Sequence, residues 1–279
     1  MPGTVVRVRR NAAASQATAS ASNVATRLSR PNPEGVPLRV AVISDVHGNL
    51  HALTAALEAI DRERVDAIWC LGDVVGYGPR PNRCCSVARE RSDLCLVGNH
   101  DLGVLGRLDL AEFSFDAAYA AQWTRGVLEP ESRSFLESLE PSAAADGVEL
   151  FHGSARDPVW EYVLSPEAAA ASLLATSAPV VLVGHSHVAL ALGLRGDSLE
   201  GGLAPAGSEI DLGEARWLLN PGSVGQPRDG DARAAWLLLD LGAGHATFQR
   251  VRYPVERTQA EIRERGLPAA LADRLEHGL

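Results

Sequence analysis

The sequence predicts an α/β protein in which two sheets share one domain and helices lie outside them. Two observations predict it. Through the first half, short β-branched apolar runs alternate with amphipathic helical stretches at a spacing of about 27 residues, the pattern of βαβ units and a largely parallel sheet. The second half holds further apolar runs punctuated by Gly and Pro, with one helical stretch among them. The length, 279 residues, allows one large or two modest domains and a full core.

The elements follow in order. Residues 38–44 form the first strand, a short β-branched run. Leu50, Leu53, Ala56, Leu57 and Ile60 then keep helical spacing. Residues 67–71 are the second strand, 83–91 a second helix with Asn82 as its N-cap, and 93–97 the third strand. Residues 111–139 read as helical throughout, with Pro130 dividing them into two helices. Later apolar runs are Val148–Phe151, Val180–Val183, 217–219, 234–241 and 246–253, with a helix at 166–176. Residues 256–277 form a last amphipathic helical segment. The domain spans 38–279 and carries a helical insert at 102–147.

Residues 1–37 stand apart. Five arginines, Arg7, Arg9, Arg10, Arg27 and Arg30, face one acid, Glu34, among Ala, Ser, Thr and Asn. This +4 stretch lies within a chain of net charge −9, so residues 38–279 carry −13. It reads as a disordered extension or an over-called start; its Arg-rich, acid-poor character also outlines an organellar transit segment.

Composition excludes several classes. At 46% hydrophobic and 22% charged, the chain is an ordinary globular protein. Its acidity argues against general nucleic-acid or membrane-surface binding. It does not exclude a small phosphorylated substrate held at one cationic site. Cys70, Cys84, Cys85 and Cys95 lack the paired spacings of a zinc site or disulfide framework and read as reduced, mostly buried thiols. No run of about 18 apolar residues exists. The expected location is cytoplasmic, and the oligomeric state stays open.

Polar residues collect where the apolar runs end. The first is followed by Asp45-Val-His47-Gly-Asn49, the second by Gly72-Asp73 and the third by Gly98-Asn99-His100-Asp101. Val148–Phe151 runs into His152-Gly-Ser154, and Val180–Val183 into Gly184-His185-Ser-His187. Loops at the carboxyl ends of strands in an open α/β sheet converge on one crevice. Asp, His and Asn are oxygen and nitrogen donors without a thiolate. Two aspartates, one asparagine and four histidines exceed the needs of one open metal site. They suit two divalent ions sharing a carboxylate.

These residues, in this order, resemble the calcineurin-like metallophosphoesterase superfamily, and within it the small bacterial phosphodiesterase-type members. The resemblance implies a four-layer α/β/β/α sandwich. It implies that Asp45, His47, Asp73 and His187 hold one metal, and that Asn99, His152 and His185 complete a second around a bridging Asp73. The implied nucleophile is a hydroxide bridging the ions. His100 matches the family histidine acting at the leaving oxygen, with Asp101 expected to orient it. The ions are manganese first, with iron, nickel or zinc as alternatives.

Departures narrow the substrate. Phosphoprotein phosphatases and diadenosine tetraphosphatases carry G-D-x-x-D-R-G and an arginine before G-N-H. Here Gly76-Tyr77-Gly78 and Val97 stand at those places. Arg228 is the candidate replacement cation for substrate binding, and Phe113, Phe115 and Tyr119 of the insert are candidate walls. His51, His245 and His277 are expected at the surface, and Trp69, Trp123 and Trp236 in packing roles. The expected activity is hydrolysis of small phosphodiesters, with phosphomonoesters as a second class. Alternatives are a nucleotide or dinucleoside polyphosphate phosphatase, or a non-catalytic protein-binding module on the same fold.

Overall fold

Val40 and Val42 point one way from their strand, Ala41 and Ile43 the other, and every one of them is buried. A strand buried on both faces needs a layer on each side. The computed structural model describes residues 6–7 and 38–279. Apart from 6–7, the extension read as disordered lies outside the described residues.

The strands are β1 (Val6–Arg7), β2 (Arg39–Ile43), β3 (Ala67–Cys70), β4 (Leu94–Cys95), β5 (Ser142–Ala145), β6 (Val148–Phe151), β7 (Val180–Val183), β8 (Ala189–Arg195), β9 (Ser198–Leu203), β10 (Glu209–Asp211), β11 (Arg216–Pro221), β12 (Ala234–Asp240) and β13 (His245–Val251). The helices are α1 (Leu50–Ile60), α2 (Pro81–Arg91), α3 (Asn99–Leu105), α4 (Phe115–Val127), α5 (Pro130–Glu137), α6 (Pro166–Leu174), α7 (Val255–Glu264) and α8 (Ala269–Asp273). Two mixed sheets result, ordered β1-β9-β8-β11-β7-β6-β5 and β10-β13-β12-β2-β3-β4. The parallel pairs are β2 with β3, β3 with β4, β6 with β7 and β7 with β11.

Three apolar layers hold them. Val40, Val42 and Trp69 of one sheet meet Leu150, Val180 and Leu182 of the other. Ala41 and Ile43 pack outward on Leu53, Ala56 and Leu57 of α1. Val181 and Val183 pack outward on Ala169, Ala170 and Leu173 of α6. The sequence-level expectation of two sheets with external helices therefore holds, and the layers are helix, sheet, sheet, helix. No helix among the described residues is long and apolar enough to cross a membrane.

Several local expectations are corrected. Asn82 does not cap α2, whose N-cap is Arg80. Its amide instead joins the Val127 carbonyl (2.8 Å) and the Glu129 N–H (3.0 Å), tying the start of α2 to the α4–α5 turn. The insert is helical only as far as Glu137, because Ser142–Ala145 pairs with β6 as an edge strand. Gly266 and Pro268 divide the last helical segment into α7 and α8. The β8–β9 hairpin escapes sequence reading because its Ala and Gly content gives little strand propensity; cross-strand pairing supplies the order instead.

Candidate metal centre

The loops after β2, β3, β4, β6 and β7 meet at one end of the sheets. The six-stranded sheet delivers Asp45, His47, Asp73 and Asn99; the seven-stranded sheet delivers His152, His185 and His187. Asp45, His47, Asp73 and His187 each bring one donor atom within 4.8 Å of the others, and so do Asp73, His152 and His185. Asp73 belongs to both groups. Asn99 Oδ1 joins the second group, 3.1 Å from His152 Nε2. All seven side chains are buried.

The backbone is bent to aim them. Asp45, His47, Asp73, His185 and His187 have φ of 54°, 51°, 52°, 62° and 59°. Left-handed conformation costs a non-glycine residue about 1–2 kcal/mol, so surrounding structure must enforce it. The Asp45 N–H donates to Gly72 O (3.0 Å) and the His47 N–H to Asp73 O (2.9 Å), which locks the two loops together. Gly98 is required by close approach: a Cβ there would lie 2.0 Å from Asp73 Oδ1.

Each histidine in the cluster spends its outer nitrogen on a backbone carbonyl. His47 Nδ1 faces Val75 O (3.1 Å), His152 Nδ1 faces Leu71 O (2.8 Å), His187 Nδ1 faces Gln226 O (2.6 Å), and His185 Nε2 faces Trp160 O (3.2 Å). A carbonyl only accepts, so each of these nitrogens carries the proton. Burial depresses His47 and His187 below the ordinary histidine range and takes His185 down to about 3, so these three are neutral at physiological pH. Their inner nitrogens are therefore bare lone pairs. Those of His47 and His187 face each other at 3.0 Å.

Both oxygens of Asp45 and Oδ2 of Asp73 are buried without a hydrogen-bond donor. Burial opposes ionisation of Asp45, but His187 and His152, both protonated in the acid range where this carboxyl titrates, outweigh it and hold the carboxyl low. His152 differs from the other histidines. Burial lowers its pKa, yet the Asp73 carboxylate, 3.4 Å away, outweighs that and pushes it up to about 9. Facing lone pairs, undonated carboxylate oxygens and a proton trapped beside Asp73 share one remedy, positive charge at the centre. The donor set fits two divalent ions.

His100 sits beside the cluster, its ring 4.8 Å from that of His47. Its backbone N–H donates to Asp73 Oδ1 (2.8 Å), its Nδ1 is buried without a partner, and burial lowers its pKa to about 4. His100 Nδ1 donates no hydrogen bond to Asp101, so the expected orienting contact is not formed. Asp101 accepts instead from the N–H groups of Val74 (3.2 Å), Val75 (2.9 Å) and Gly98 (3.0 Å). As the third residue of α3 it reaches back over its own helix start, and so fixes the loop carrying Asp73.

Arg228 reaches the mouth of the site from the loop after β11. Its guanidinium lies over the Tyr77 ring, 5.7 Å from the centroid, and donates to Gln226 Oε1 (2.7 Å) and the Tyr77 hydroxyl (3.3 Å). Phe113 stands 5.2 Å from the His100 ring, whereas Phe115 is 82% exposed and Tyr119 48% exposed, so only Phe113 of the expected wall faces the centre. Sequence reading passed over Trp160 and Tyr162. Tyr162 stacks on His185 at 3.9 Å, and Trp160 packs edge-on against Phe113. An aromatic pair eight and ten residues past His152, in a segment without periodicity, was the available signal. Of the other histidines, His245 and His277 are exposed and His51 is half-buried against Glu261 (3.2 Å).

Comparison with known proteins agrees with this geometry. A family model described as the calcineurin-like phosphoesterase superfamily domain matches residues 38–244. An uncharacterised protein of Methanocaldococcus jannaschii is 38% identical over 242 residues, covering 85% of this chain and 96% of that protein. A metallophosphoesterase structure from Sphaerobacter thermophilus superposes with a TM-score of 0.79 at 40% identity, covering 88% of this chain and all 100% of the other. A hypothetical protein from Pyrococcus horikoshii shares the fold, with a TM-score of 0.70 at 20% identity over 86% of this chain and 98% of its own. The family model covers all seven clustered donors and most strands of both sheets, and the chain belongs to the calcineurin-like phosphoesterase superfamily.

Proposed function

We propose that the protein is a dinuclear metal-dependent phosphoesterase acting on small phosphodiesters. Asp45, His47, Asp73 and His187 would hold one ion and Asp73, Asn99, His152 and His185 the other, with manganese the favoured metal. One observation carries the reading: two donor groups meet at a shared, buried Asp73. Divalent ions bound there supply Lewis acidity, neutralise phosphoryl oxygens and lower the pKa of water.

The remaining work falls to the chain's own side chains. His100, with Nδ1 buried and unengaged, is the group able to exchange a proton with a leaving oxygen. Arg228 would bind a non-bridging phosphate oxygen, and Phe113, Trp160 and Tyr162 would exclude water around the ester. A phosphomonoester carries about −1.5 to −2 charge near neutral pH, whereas a diester carries one negative charge. The lack of an arginine at Gly76–Gly78 and at Val97 supports the diester.

A second reading, a nucleotide or dinucleoside polyphosphate phosphatase, draws on the same aromatic residues as a stacking surface for a base. The test is hydrolysis by the full, manganese-reconstituted chain of bis-p-nitrophenyl phosphate, p-nitrophenyl phosphate and a nucleotide panel. Preference for the diester supports the first reading and preference for nucleotides the second. Turnover of none of them refutes both.

A further inference from the structure

We infer that the protein carries a second ligand site, for a nucleoside phosphate acting as an effector, in a cavity separate from the metal centre. The cavity, about 520 Å³, lies between the start of α2, the end of α4 and the first turn of α5, and no candidate metal donor lines it. Its volume falls in the range of small-molecule sites, about 300–1,000 Å³.

Its walls have two characters. Arg83, Arg89 and Arg265 line it, and among the described residues their guanidinium groups make no salt bridge or side-chain hydrogen bond. Arg80 also lines it but is engaged with Glu261 through two hydrogen bonds (2.8 and 2.7 Å). Glu129 and Glu131 also line it, at the N-cap and in the first turn of α5, where acidic side chains favour that helix's dipole. Three uncommitted guanidinium groups in an acidic chain mark the cavity for an anion, and phosphate is what such forks bind best. The other wall is apolar: half-buried Trp123 and buried Phe135 present flat aromatic surface. Cations beside an aromatic wall suit a ligand with a phosphate and a planar ring. The Asn82 bridge to Val127 and Glu129 holds these walls together in advance of any ligand.

The cavity is also wired to the metal centre. The Arg80 N–H donates to the Gly48 carbonyl (3.0 Å), one residue beyond His47. An occupant pressing on Arg80 would therefore act on a loop that carries a donor, which makes the ligand an effector.

The test is calorimetric and fluorescence titration of the chelator-treated full chain with adenosine monophosphate, adenosine and inorganic phosphate. Adenosine monophosphate should bind more tightly than either fragment and quench tryptophan emission. The quench should vanish in Trp123→Phe, although four other tryptophans remain. Arg83→Ala with Arg89→Ala, both exposed, should leave the melting temperature unchanged and weaken binding by about tenfold or more. Asp73→Asn should bind like the wild type. Binding lost in Asp73→Asn but kept in the double arginine variant would overturn the inference. So would equal affinity for the nucleotide and phosphate, or no saturable binding at millimolar concentration.

Discussion

His47 and His187 turn their Nε2 atoms toward each other at 3.0 Å while both give their Nδ1 protons to backbone carbonyls. No proton is left to share, so the contact is two lone pairs in a dry site. A cation that takes either nitrogen converts this repulsion into a bond. Divalent metal should therefore stabilise the fold. At a concentration about a hundredfold above Kd one ion adds about 2.7 kcal/mol, a rise in Tm of roughly 5–10 °C. Thermal melts in chelator and in manganese check it; coincident curves would refute it.

Asp45→Asn should lower stability and function together. Both Asp45 oxygens are buried without a donor, and Oδ1 lies 3.4 Å from His187 Nε2. Because this carboxyl is held below its ordinary range, its ionised form stabilises the fold at neutral pH. The metal-free variant is expected to be about 1–2 kcal/mol less stable than wild type. Its metal affinity and activity should fall as well. Urea unfolding with and without metal checks it; a metal-free variant more stable than wild type would refute it.

His100 and Asp101 are adjacent in sequence yet should fail differently. His100→Ala is expected to keep its metal and slow turnover by about 10²–10⁴-fold. Asp101→Asn leaves one oxygen for three N–H groups at a fully buried site. It should cost about 2–4 kcal/mol of stability and lower metal content by freeing the Asp73 loop. Elemental analysis beside melting curves separates the two. Full metal content in Asp101→Asn would contradict its role in holding that loop.

Arg228→Ala should lower kcat/KM for a diester by about 10- to 100-fold with metal content unchanged. Arg228→Lys should recover only part, because an ammonium cannot reproduce the planar fork that meets Gln226 and Tyr77. An unchanged kcat/KM in Arg228→Ala would remove this residue from substrate binding.

The Arg80–Glu261 pair gives a pH signature. Arg80 holds the Glu261 carboxyl below its usual range, with burial opposing and His51 assisting. A depressed carboxyl stabilises the fold fully above its unfolded pKa, about 4.3, and that contribution is lost as pH falls through the folded value. Arg80 is 40% exposed, so solvent screening limits the pair to about 0.5–1 kcal/mol. Arg80→Met should show this deficit at neutral pH and converge with wild type in acid. A constant gap across the range would exclude the linkage.

Much of this was legible because strand ends are legible. Val180–Val183 followed by Gly184-His185-Ser-His187 announces a buried strand and then polar residues that neither core nor surface explains. Five such junctions placed all seven donors at the correct ends of two sheets. What escaped depends on contacts distant in sequence. Adjacency in sequence pairs Asp101 with His100, whereas its hydrogen bonds run to Val74 and Val75, 27 and 26 residues away. Trp160 meets His185 across 25 residues, from a loop without periodic pattern. Trp123 reads as core from its helical spacing, yet it is half-buried on a cavity wall that only the packing of α2 against α5 creates.

The donors divide between the sheets, with Asp45, His47, Asp73 and Asn99 on one side and His152, His185 and His187 on the other. An ion gripped from both sides is a cross-link over the seam where the sheets would separate. Such a tie forms only once both sheets are docked, so it is absent from early folding and must be broken before the molecule opens. Its effect falls on the rate of unfolding and leaves the rate of folding nearly untouched. Metal loading would therefore set the working lifetime of each folded molecule, and metal supply would govern how long the protein persists.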